Sequence, residues 1–132
     1  YNVKMDIIVT TPKNETDASK QEAEKIKKNG GGFYFRRFTR LPCNLNIGDK
    51  VFYTENGYVR GYAVVSNIEK SHSMTCNTTE REYSKGHYVI MDASSWQWIE
   101  PIPYKSFQGF RYFNQPYKTI GDWMDDAPQL ST

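Results

Sequence analysis

Leu45-Asn46-Ile47-Gly48-Asp49-Lys50-Val51-Phe52-Tyr53-Thr54-Glu55-Asn56-Gly57-Tyr58-Val59-Arg60-Gly61-Tyr62-Ala63-Val64-Val65, part of a chain of 132 residues, reads as two strands joined by one tight turn. Ile47-Gly48-Asp49 is a turn that feeds a strand over 50–54, in which Val51 and Tyr53 alternate with Phe52. Asn56-Gly57 tolerates the positive φ angles that a two-residue hairpin demands, so the chain reverses there. The return strand, 58–68, is long enough to bend around a barrel, and Gly61, without a side chain, is where the bend is expected.

Upstream, Asp6-Ile7-Ile8-Val9-Thr10 is a short β-branched strand, broken by Thr11-Pro12-Lys13-Asn14. Good helix formers from Gln21 to Lys28 follow, with Thr16, Asp17 or Ser19 as the cap and Asn29-Gly30-Gly31-Gly32 as the stop. Its apolar residues are chiefly Ala18, Ala23 and Ile26, a narrow stripe that suits a helix lying on the outside of a sheet. Phe33-Tyr34-Phe35-Arg36-Arg37-Phe38-Thr39 is a further strand, interrupted by Leu41-Pro42-Cys43-Asn44.

Downstream, residues 69–86 are polar and without period, and read as a surface loop. Strands are expected over 87–93 and 96–100, an edge or exit at Pro101 and Pro103, a single helical turn over 105–110 and a last strand at Arg111-Tyr112-Phe113. From Asn114 the chain reads as a tail docking through Tyr117, Ile120, Trp123 and Met124. There is no internal repeat. The fold class expected is mainly β (α+β): a small barrel with one flanking N-terminal helix, a domain over 1–113 and a C-terminal tail over 114–132 packing on it.

Aromatic residues make up 15% of the chain, with ten tyrosines against seven phenylalanines, so many rings are expected to keep one wet edge. No apolar run approaches the ~20 residues that span a bilayer, and Tyr1 to Lys13 lacks a secretory pattern. No membrane association and a cytoplasmic location are therefore expected. Cys43 and Cys76 lie far apart and read as free thiols. Asn14-Glu15-Thr16 and Asn77-Thr78-Thr79 match the glycosylation pattern by chance. The formal net charge is +2, but it is unevenly spread. Residues 33–118 hold eleven Lys/Arg against seven Asp/Glu, and the tail then turns acidic with Asp122, Asp125 and Asp126. A basic body is compatible with a polyanion partner and equally with an ordinary solvated surface.

The segment 45–53 followed by Val59-Arg60-Gly61-Tyr62-Ala63-Val64-Val65 resembles the glycine–aspartate hairpin of the PUA-like superfamily, which includes ASCH, EVE and YTH domains. The order strand, helix, extended segment, hairpin is also similar. Ile102-Pro103 followed by Phe107-Gln108-Gly109-Phe110-Arg111-Tyr112 is similar to the closing segment of some members. The resemblance spans roughly residues 5–113. The ASCH signature Gly-x-Lys-x-x-Glu-x-Arg is not present. The resemblance implies a barrel of five to seven strands and a recognition fold. Its relatives bind RNA or hold one, often modified, base between the barrel and the first helix. Some ASCH members are small amidohydrolases acting on acetylated cytidine.

Candidate nucleic-acid contacts follow. In the loop after the first strand, Thr10, Thr11, Lys13 and Asn14 offer hydroxyl, amide and ammonium groups to a base edge or phosphate. They serve equally well as a loop and helix cap. Among the 33–40 rings, Arg36 and Arg37 can stack on a base or meet a phosphate, and strand alternation sends them to opposite faces. Trp96 and Trp98 share a face in an extended chain and can wall a base site or close the barrel end. Lys105, Gln108 and Arg111 flank Gly109, where backbone can approach closely. Tyr53 of the hairpin completes the set. The partner expected is RNA or a modified nucleobase or nucleotide. A protein partner on the tail is the rival, and the tail can also cover the basic cleft of its own domain. For amide hydrolysis, Lys50 with Glu55 or Lys105 with Glu100 are the lysine–carboxylate pairs available. His72, His87 and Cys76 lack ligand spacing, so no metal and no cofactor are expected.

Overall fold

A computed structural model describes residues 6–10, 16–38, 45–71, 74–75, 82–83, 86–105, 107–125 and 128. In chain order the elements are β1 (Ile7–Thr10), α1 (Thr16–Lys28), β2 (Phe33–Phe38), β3 (Lys50–Glu55), β4 (Tyr58–Ser71), β5 (Met74–Thr75), β6 (Glu82–Tyr83), β7 (Gly86–Pro103), β8 (Phe110–Tyr112) and β9 (Thr119–Asp122). The main sheet runs β2-β7-β4-β3-β1-β8, with β9 added to β7. Among the described residues only β1 and β3 pair in parallel; the other pairs are antiparallel. The expected mainly β class, with one flanking helix and a curled, barrel-like sheet, is what the chain forms.

The hairpin behaves as its sequence dictates. Asn56 and Gly57 take φ of 53° and 82°, the double positive of a type I′ turn. The Asp49 carboxylate accepts from the Asn46 N–H at 2.9 Å and caps the turn before β3. The Asp6 carboxylate accepts from the Lys50 N–H at 2.9 Å, which sets β3 in register beside β1. Ile7, Ile8 and Val9 have no exposure at all, the continuous apolar run of a strand covered on both faces.

Alternation sorts the side chains into two layers. Ile7, Val9, Phe38, Val51, Ala63, Val65, Val89 and Met91 fill the concave face. Ile8, Phe52, Val59, Tyr62, Ile99 and Phe113 fill the convex face, under Tyr104 and Phe107. The two edge strands meet through side chains: the Phe38 and Phe110 rings lie edge to face at 5.9 Å. Arg36 Nη2 of β2 donates to the Thr10 carbonyl of β1 at 3.2 Å. α1 leads from β1 to β2, which stand near opposite ends of the sheet order. Ile26, 1% exposed, anchors it, and Gly30 at φ 77° closes its C-terminus.

Four expectations are corrected. Strands 87–93 and 96–100 are one strand, β7. Ser95, which the sequence placed in a break between them, accepts the Val64 N–H on its hydroxyl at 2.8 Å where the β4–β7 register shifts, so pairing continues across the bulge. The 69–86 loop is in part sheet: β4 runs to Ser71, and β5 pairs with β6. The described part of 105–110 is a bend around Gly109 (φ 76°) rather than a helical turn. The tail contributes a strand, β9, and Ile120 and Met124, 43% and 55% exposed, do not anchor it. Backbone pairing and Tyr117, whose ring meets Phe52 at 5.3 Å and Tyr62 at 5.5 Å, hold it instead.

Gly61 is where β4 and β7 come closest. A Cβ there would stand 2.5 Å from the Gln97 carbonyl oxygen and 2.5 Å from Trp96 Cζ2. Gly61→Ala is therefore expected to lower unfolding free energy by about 1–3 kcal/mol, the range for overpacking a close contact. A fall in the urea midpoint at unchanged m-value checks it; an unchanged midpoint would show that the contact relaxes freely.

Candidate functional site

Alternation along β2 brings Tyr34, Arg36 and Phe38 to the concave face and turns Arg37 outward, where it is exposed. Tyr53 of β3, in register with Val9, joins them, and its hydroxyl donates to Met91 Sδ at 3.4 Å. From Tyr53 a row of rings continues along β7. Tyr53 and Trp96 meet edge to face at 5.6 Å, and Trp96 and Trp98 do so at 5.1 Å. The Arg60 guanidinium of β4 stacks 5.7 Å from the Trp98 ring. The row thus has a guanidinium on either side, Arg36 toward β1 and Arg60 toward the tail.

Five of the residues named from sequence are therefore linked: Thr10 by its carbonyl on Arg36, then Arg36, Tyr53, Trp96 and Trp98. Lys105, Gln108 and Arg111 are exposed and lie elsewhere. Arg111 is in register with Ile8, and its guanidinium stacks on Phe107 at 4.8 Å, which places it on the convex face. The Thr10 hydroxyl accepts the Phe107 N–H at 3.4 Å, so Thr10 touches both faces, one through each oxygen. Beside it Thr54 Oγ1 is buried without a hydrogen-bond partner among the described residues. Thr11, Lys13 and Asn14 lie outside the described residues. So do His72, Cys43 and Cys76, and among the described residues no three His, Cys, Asp or Glu side chains gather as a metal site. No described helix is long and apolar enough to cross a membrane.

The lysine–carboxylate pairs expected for hydrolysis are not assembled. Lys50 and Glu55 stand at opposite ends of β3, about 17 Å apart at ~3.3 Å per residue. Lys50 lies instead over the Tyr62 ring at 5.6 Å. Glu100 and Lys105 are both exposed, and no ion pair joins them.

Tyr34, Glu22 and Arg60 were not singled out from sequence. Tyr34 was legible from the i, i+2 rule, two residues from Arg36. Glu22 lies one helical turn before the buried Ile26, on the same face of α1. The Tyr34 phenol is pushed up to about 12 by burial, with Tyr53 and the Glu22 carboxylate adding to the shift. That of Tyr53 is likewise pushed up to about 12 by burial, against the Arg36 guanidinium, which lowers it, and with Glu22 raising it. Both hydroxyls stay protonated and serve as hydrogen-bond donors throughout the physiological range.

Raised phenol values couple to stability. The unfolded chain releases these protons near pH 10, while the fold holds them, so the stabilisation is complete below pH 10 and falls as pH climbs toward 12. Titration by phenolate absorbance should show a late-ionising group of tyrosines. The Tyr34→Phe, Tyr53→Phe double substitution should remove two residues from that late group; ionisation of all ten together would contradict the enclosure of these hydroxyls.

Against known protein families and against curated proteins the chain has no match. Among solved structures it is similar to the crystal structures of two mutants of ZmASCH from Zymomonas mobilis. For one, identity is 14% with a TM-score of 0.45, over 83% of this chain and 91% of that one. For the other, identity is 14% with a TM-score of 0.47, over 83% of this chain and 89% of that one.

Proposed function

We propose that the chain is a nucleic-acid-binding module that holds one unpaired base, of RNA or as a modified nucleobase, against the concave ring row. The observation that carries this reading is the run Tyr53–Trp96–Trp98 flanked by Arg36 and Arg60. An indole face or edge offers a flat heterocycle stacking energy of about 1–3 kcal/mol per base. A flanking guanidinium offers a phosphate two parallel hydrogen bonds. The protonated hydroxyl of Tyr34 supplies a donor for a base carbonyl or ring nitrogen. The basic balance of residues 33–118 supports attraction of the strand from a distance.

Two measurements test it. Short single-stranded RNA should bind at low salt and quench tryptophan emission, with log Kd rising linearly in log salt. No detectable affinity at low salt would end the proposal. Trp98→Ala and Arg36→Gln should each weaken binding about tenfold or more. Arg111→Gln distinguishes the faces: a loss as large as that of Arg36→Gln would move the site to the convex side.

A further inference from the structure

Three donors from three separate elements converge on the tail beyond β9. Lys27 Nζ of α1, which also pairs with the Glu24 carboxylate at 3.9 Å, reaches the Asp125 carbonyl at 3.4 Å. The Trp98 indole N–H of β7 donates to the same carbonyl at 3.2 Å. Arg60 Nη2 of β4 donates to the Pro128 carbonyl. Arg60 is 8% exposed, and among the described residues no carboxylate pairs with it. A buried guanidinium carries five donors, and here one main-chain oxygen and an indole face are what the described residues give it. Burying a charge with so few partners is unfavourable, and an anionic oxygen would satisfy it better.

The segment that supplies these oxygens is lightly held. Thr119, Ile120 and Asp122 of β9 are exposed, and so are Met124 and Asp125. β9 pairs with β7 over a short register, Gln97 with Asp122, Trp98 with Gly121 and Ile99 with Thr119. Its turn is closed by its own acids: the Asp122 N–H donates to Asp125 Oδ2 at 2.8 Å, and the Met124 N–H to Asp122 Oδ1 at 2.9 Å. The tail therefore brings carbonyls and carboxylates to the end of the ring row where Lys27, Arg60 and the Trp98 indole point.

We infer that Lys27, Arg60 and the Trp98 indole N–H form a phosphate subsite for the strand bound at the ring row, which the tail carbonyls of Asp125 and Pro128 occupy until a phosphodiester displaces them. The inference rests on the base-binding reading. It adds two contacts outside the sequence-named set, Lys27 and Arg60, and makes the tail a competitor of the ligand.

The experiment compares a fluorescein-labelled single-stranded RNA dodecamer on the full chain, on the chain ending at residue 118, and on full-length Gly121→Val. A Cβ at Gly121 would meet Asp125 Oδ2 at 2.8 Å, so that substitution displaces the carboxylate that accepts the Asp122 N–H and closes the tail turn, and it serves if the shortened chain does not fold. The shortened chain should bind about tenfold tighter than the full chain, with Gly121→Val tighter than wild type. A synthetic peptide of residues 119–132 should compete with RNA on the shortened chain. Lys27→Gln and Arg60→Gln should each reduce the salt slope by about one. Equal affinity for full and loosened chains, when both bind, overturns the competition and leaves the ring site standing. Unchanged slopes overturn the subsite. Failure of every folded variant to bind overturns the inference together with the reading beneath it.

Discussion

The approach of Trp96 to Gly61 governs the rest of the architecture. No side chain larger than hydrogen leaves room for the indole and the Gln97 carbonyl at 2.5 Å from the Cβ position. With β4 and β7 held this close, Trp96 meets Tyr53 and Trp98 in two edge-to-face contacts. The same glycine that lets a strand bend is thus the one that sets the spacing of the aromatic surface.

The curl of the sheet is completed by side chains. β2 and β8 are the two edges, and an edge with unpaired backbone is a template for aggregation unless covered. Phe38 against Phe110 supplies an apolar seam, and Arg36 on the Thr10 carbonyl supplies a polar one. A seam made this way is easier to open than a ladder of backbone hydrogen bonds. It also explains why Arg36 stands at a candidate binding site: the guanidinium that closes the mouth is the one a strand of nucleic acid would meet there, with donors beyond the single one used on Thr10.

What the sequence made legible was what strand period and turn chemistry control. The Asn56-Gly57 turn, the split of Arg36 from Arg37 across the sheet, and the shared face of Trp96 and Trp98 all follow from local geometry. What it hid depended on partners far along the chain. Ser94-Ser95 reads as a break because serine is a weak strand former, yet Ser95 replaces a missing ladder acceptor for Val64 and keeps β7 whole. Arg60 reads as one more strand residue until the tail is seen to bury it. Lys105, Gln108 and Arg111 read as contacts for the same ligand as the rings, but the register of β8 on β1 sends Arg111 to the other face.

That separation bears on which surface can read a base. The convex face carries Lys50 over Tyr62 and Arg111 over Phe107, cations already stacked on rings that belong to the apolar layer. Tyr62 is itself tied to Tyr117, and its phenol is raised by burial and by that neighbour. Rings committed in this way to packing and to the tail have little face left for a ligand. On the concave side the two indoles meet edge to face, an arrangement in which their mutual contact covers one face of only one ring, and both stay partly exposed. Stacking needs a free face and phosphate recognition needs donors not saturated by carboxylates. Among the described residues the Tyr53–Trp96–Trp98 side, with Arg36 and Arg60 both bonded only to main-chain carbonyls, meets both requirements.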